Sequence, residues 1–112
     1  MATIKAYKGF DQELQCRGFR YRIGYTYKHA GEVKPCAAGF HSVEYPLDAF
    51  RYYPPSDSRF AVVEAAGQIR RDDSDSKIAS STLTVKDEID LATLATHAAE
   101  WIFRNADRDS GQ

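Results

Sequence analysis

Residues 59–89 constrain the fold most. "RFAVVEAAGQI" is apolar on both faces, the pattern of a central strand with a neighbour on either side. "KIASSTLTVKDEI" follows as a second long strand, with Ala79, Ser81, Leu83 and Val85 on one face. Between them "RRDDSDS" reads as a charged turn. A chain that spends this much of its length on one strand–turn–strand unit must build a sheet around it. Shorter strands are available upstream. "TIKAYKGF" is the first, closed by Gly9, and "FRYRIG" alternates strictly until Gly24. That alternation sends Phe19, Tyr21 and Ile23 inward and Arg20 and Arg22 to solvent. "DQELQCRG" reads as a turn or a short helical piece. In the irregular "YTYKHAGEVKPCAAG", the pieces "TYKH" and "EVK" can pair as a hairpin around Ala30-Gly31. "FHSV" is a further short strand.

Two helices complete the reading. "YPLDAFRYY" makes about two turns, with Pro46 at the first helical position and Pro54-Pro55 as a stop. Leu47 and Phe50 share its inner face. The last helix takes Asp90 as N-cap and shows a stripe of Leu91, Leu94, Ala95, Ala98, Trp101 and Ile102. Trp101 is its expected anchor on the sheet. The fold class is α+β: a mostly antiparallel sheet of four to six strands with one short middle helix and a C-terminal amphipathic helix. Residues 1–106 form a single domain, and 107–112 read as a polar, disordered tail.

Composition narrows the function. The chain has 112 residues with 15 basic and 16 acidic side chains, a net charge of −1. That balance argues against broad phosphate-backbone binding, which needs a basic surplus. A local exception is "CRGFRYR", where Arg17, Arg20 and Arg22 stand among Phe19 and Tyr21, a mixture of cations and rings able to stack nucleobases. No apolar run approaches the length of a membrane span and no signal-peptide pattern opens the chain, so a cytoplasmic protein is expected. Cys16 and Cys36 then read as reduced thiols, with pairing left open.

Motifs with a chemical mechanism are absent. Cys16, Cys36 and His41 are too few and too scattered for a zinc set. "DDSDSK" breaks the calcium-loop pattern at Lys77, where an oxygen ligand belongs. Asp48 reads as a solvated or capping carboxylate, and His41 as a structural residue between Phe40 and Val43. Neither a metal nor a cofactor is expected. The residues best suited to a partner are Arg17, Arg20 and Arg22, with Tyr52 and Tyr53, one of which keeps its hydroxyl at the surface.

The order "YKGFD", "CRGFRYRIGYTY", "C–GFH–PLDAFRYY", "SRFAVVEAAGQI" and "DSDSKIASSTLTVKDEI" resembles a family of small bacteriophage and prophage proteins. The resemblance spans residues 4 to 104 and implies a phage setting. From it follows the leading expectation, a non-enzymatic accessory protein that binds a host or phage macromolecule. A protein partner is favoured over nucleic acid, with inhibition of a host defence complex as one form of action. A fainter likeness is to ADP-ribosyltransferases, since "YKG", "FHS", "PLDAFRYY" and Glu88 occur in the order of that fold's motifs. It implies a cleft around Tyr7, His41 and Tyr53, with Glu88 as the acid. The first-motif histidine is missing, and no Gln-x-Glu or Glu-x-Glu is present. Oligomeric state is left open.

Overall fold

The structure, a computed structural model, describes residues 3–16, 18–33, 38–72 and 75–110, with side chains as far as residue 106. Its frame is the expected hairpin: β6 (Arg59–Arg71) and β7 (Lys77–Ile89) pair antiparallel from Phe60↔Ile89 to Arg71↔Ile78. The register shifts twice, at Val62/Val63 and between Ala66 and Ile69. Such irregularities bend a strand and increase its twist. At the second, Gly67 has φ +78°, and a Cβ there would stand 2.2 Å from Ser81 Oγ, so only glycine fits the bend.

The bend lets the sheet close on itself. β1 (Ile4–Phe10) pairs along β6, from Ile4↔Ala65 to Phe10↔Arg59. β5 (Phe40–Val43) pairs along the start of β7. β1 and β5 then meet through the single pair Tyr7↔Val43. The circuit β1–β6–β7–β5 is thereby complete, and β4 (Thr26–Lys28) extends it along β7. β2 (Gln15–Cys16) and β3 (Phe19–Arg20) form a separate small hairpin. All pairings are antiparallel and the class is α+β, as the patterning implies.

Strand alternation sorts the core into two clusters. Ala6, Phe10, Ala61, Val63, Ala65, Leu83 and Val85 fill one, capped by Tyr21. Tyr7, Val43, Phe60 and Val62 lie in the other, together with Ala49 of the short helix and Leu94 of α1 (Leu91–Ser110). Asp90 caps α1, its Oδ1 accepting from the Thr93 amide at 2.8 Å.

Several expectations are corrected. "DQELQC" opens as a turn, the Leu14 amide donating to the Asp11 carbonyl at 3.1 Å, and is not helical; it then runs into β2, with Leu14 at φ +58°. β3 stops at Arg20, and the expected alternation holds for buried Tyr21 and for Arg20 and Arg22, which face solvent, while Phe19 and Ile23 are exposed rather than inward. "TYKH" does not pair with Glu32-Val33, and Lys34 of the expected partner lies outside the described residues. β4 finds β7 instead, because β7 runs on past the end of β5 and offers a free edge. The middle helix, Pro46–Arg51, is 3₁₀. Pro46 and Ala49 are buried on its inner face, Phe50 packs on Phe60 at 5.3 Å between centroids, and Leu47 is exposed. On α1 the packed stripe is Leu94, His97, Ala98, Trp101 and Asn105, with Trp101 at 4.8 Å from the Tyr45 ring. Leu91, Ala95 and Ile102 face out. The helix continues to Ser110, into the stretch read as a tail.

Candidate functional site

The weakest seam of the sheet is where the site lies. Beyond Tyr7↔Val43, β1 and β5 share no further pairs, and a cavity of about 480 Å³ opens between them. Tyr7, Lys8 and Gly9 line it from β1, and His41, Ser42 and Val43 from β5. Ala49, Tyr52 and Tyr53 close it from the short helix and its exit, with Cys16 and Lys77 at the margins.

Each wall residue has a reason to be there. Lys8 alternates with Ala6 and Phe10, so it points inward and is only 4% exposed. Its ammonium donates across the gap to the His41 carbonyl at 2.5 Å. It also sits 5.4 Å from the Tyr21 ring and 5.9 Å from that of Phe10, contacts that favour a buried cation. Gly9 is a close-approach position: a Cβ there would lie 2.7 Å from Tyr53 Cδ2. The absent side chain lets the Tyr53 ring lie against β1. Tyr52 donates to Asp75 Oδ2 at 2.6 Å, and Lys77 Nζ stands 4.7 Å from its ring. Asp48 accepts from the Ser76 amide at 3.0 Å and hydroxyl at 2.7 Å, tying the short helix to the turn that enters β7.

Tyr7 presents its ring to the cavity while its hydroxyl shares a 2.7 Å hydrogen bond with His97 Nδ1 of α1. Burial raises its ionisation above the usual phenol value, with Arg104 pulling against and Glu100 adding to the shift. Behind it a second, more polar groove of about 560 Å³ runs along α1, past Lys5, Arg71 and Trp101.

Of the residues singled out in the sequence, Tyr7, His41, Tyr52 and Tyr53 come together at this cavity. Glu88 does not. It sits opposite Ala61 in the hairpin, and Arg59 grips both its oxygens at 2.8 and 2.7 Å. That guanidinium holds its carboxyl below the usual range. Arg20 and Arg22 are exposed on another surface. Arg20 pairs with Glu13 at 3.5 Å, and the Arg22 guanidinium lies 5.8 Å from the Tyr25 ring. There Phe19 and Tyr25 flank a cluster in which the Phe19 and Tyr21 rings are 4.8 Å apart. Arg17 and Cys36 lie outside the described residues, and Cys16 carries a free thiol. Among the described residues no three His, Cys, Asp or Glu side chains group closely enough to hold a metal ion, and no helix is long and apolar enough to cross a membrane.

Sequence reasoning missed Lys8, Ser42 and Lys77. For Lys8 the signal was present: in "IKAYKGF" it falls in phase with Ile4, Ala6 and Phe10.

The family model described as Domain of unknown function (DUF7666) matches residues 4–97. The chain belongs to the DUF7666 family. The part of this DUF7666 domain that is matched includes every strand and every residue lining the cavity. No curated protein and no solved structure matches it.

Proposed function

We propose that the protein is a phage or prophage accessory binding module whose site is the β1–β5 seam cavity, and that its ligand is a small molecule built on a flat ring. The carrying observation is a cavity of small-ligand size bounded by three tyrosine rings, those of Tyr7, Tyr52 and Tyr53. Phenol rings offer stacking faces and edges to a planar ligand. The phage setting rests on the sequence resemblance alone. Binding fits the lining better than group transfer does. ADP-ribosyl transfer needs a catalytic acid, and no Asp or Glu lines the cavity among the described residues. Glu88 is engaged with Arg59 at the other end of β7.

Thermal unfolding in the presence of nucleosides, nucleotides and simple aromatic compounds tests this reading. A ligand at ten times its Kd stabilises by about 1.4 kcal/mol, which raises Tm by roughly 6 °C in a domain of this size. At least one ring compound is expected to do so, with the shift reduced in Tyr52→Ala. No shift across the panel would overturn the cavity reading and favour a protein partner on the Phe19–Tyr25 surface.

A further inference from the structure

Ser42 is the unexplained residue of the cavity. It is 4% exposed, lines the cavity, and its Oγ has no hydrogen-bond partner among the described residues. A buried hydroxyl left in that condition needs an explanation, because native interiors pair nearly all such groups. Strand geometry does not demand a serine. Ser42 shares its face of β5 with Phe40 and stands opposite Ile78, so an alanine or valine would suit the packing. Cations stand beside it. The charged side chains of the lining are Lys8 and Lys77, from different strands. Lys77 is paired with Asp72 Oδ2 at 4.0 Å, so the charge that bears on the floor is that of Lys8. Lys8 is held in place by the His41 carbonyl, so its positive charge is fixed at the cavity wall.

We propose that Ser42 and Lys8 form a polar floor for an oxyanion, so that the ligand is a flat ring bearing a carboxylate. The inference rests on the cavity reading and narrows it to one ligand class. Ser42 donates its hydroxyl to the carboxylate, Lys8 supplies the opposing charge, and the tyrosine rings hold the ring. Charge-assisted hydrogen bonds of this kind are the strong ones, and a neutral isostere would forfeit them.

Calorimetric titration with nicotinate and its neutral amide, nicotinamide, separates the possibilities. Nicotinate is expected to bind at least tenfold more tightly. Ser42→Ala should weaken nicotinate about tenfold, leave nicotinamide unchanged, and keep or raise the Tm of the ligand-free protein, because it removes a hydroxyl that nothing among the described residues satisfies. Equal affinities for acid and amide overturn the polar floor while leaving a ring-binding cavity. A fall in Tm for Ser42→Ala overturns it too, by showing that the hydroxyl serves the fold. If neither compound binds, the floor is overturned; the cavity reading falls with it only if no other ring compound stabilises the protein.

Discussion

Tyr21 shows how one side chain ties packing to a measurable titration. It caps the inner core between Phe10, at 5.3 Å, and Tyr27, at 5.1 Å. Burial first, then the neighbouring Cys16, Tyr53 and Tyr27, push its ionisation well above the usual 10.0. The unfolded chain therefore gives up this proton at a lower pH than the folded one. The stability it contributes is intact below pH 10 and is lost as pH rises beyond. Tyr7 shifts in the same direction. Urea unfolding at pH 8, 10 and 11 should show stability falling across the upper interval. Tyr21→Phe should flatten that fall, and an unchanged slope would show that Tyr21 is not responsible. Gly9 acts at the same scale through an absence, its bare Cα admitting the Tyr53 ring.

Among the elements, those with strong periodicity were legible in the sequence and those set by partners were not. The long hairpin, β1, β5 and the Asp90 cap follow from alternation and local chemistry. The region from Asp11 to Lys28 does not, because its course is fixed by distant backbone partners: the Gly24 amide donates to the Val85 carbonyl at 2.6 Å and the Val85 amide to Tyr25 at 3.0 Å. Helix faces were half legible. Leu91, Leu94, Ala95, Ala98, Trp101 and Ile102 span more arc than one contact covers, and the short helix, Tyr45 and the Tyr7 face of the sheet select the Leu94–Ala98–Trp101 side. Phe103, 73% exposed, lies well outside it. The 3₁₀ geometry likewise leaves Leu47 37% exposed where a packed residue was expected. The two leucines should therefore diverge. Leu94→Ala, at a site with no exposure, should cost about 2–5 kcal/mol and Leu47→Ala less than about 1 kcal/mol. Equal losses in denaturant unfolding would refute the assigned helix faces.

For the molecule as a whole, closure of the sheet and location of the cavity are one fact. Two register shifts curl the hairpin far enough for β5 to meet β1, but at only one residue pair. The rest of that seam is filled by side chains, and this leaves the cavity. Alternation and local chemistry do not bring Tyr7, His41 and Tyr53 together; the meeting of β1, β5 and the exit of the short helix does. The polar part of the lining depends on which strands adjoin, which a single sequence does not state. Backbone amide NMR during titration with a ring compound that stabilises the protein tests the assignment most directly. Shifts should concentrate at Tyr7–Gly9, His41–Val43 and Tyr52–Tyr53. Shifts confined to Phe19–Tyr25, or to α1 beyond Trp101, would contradict it.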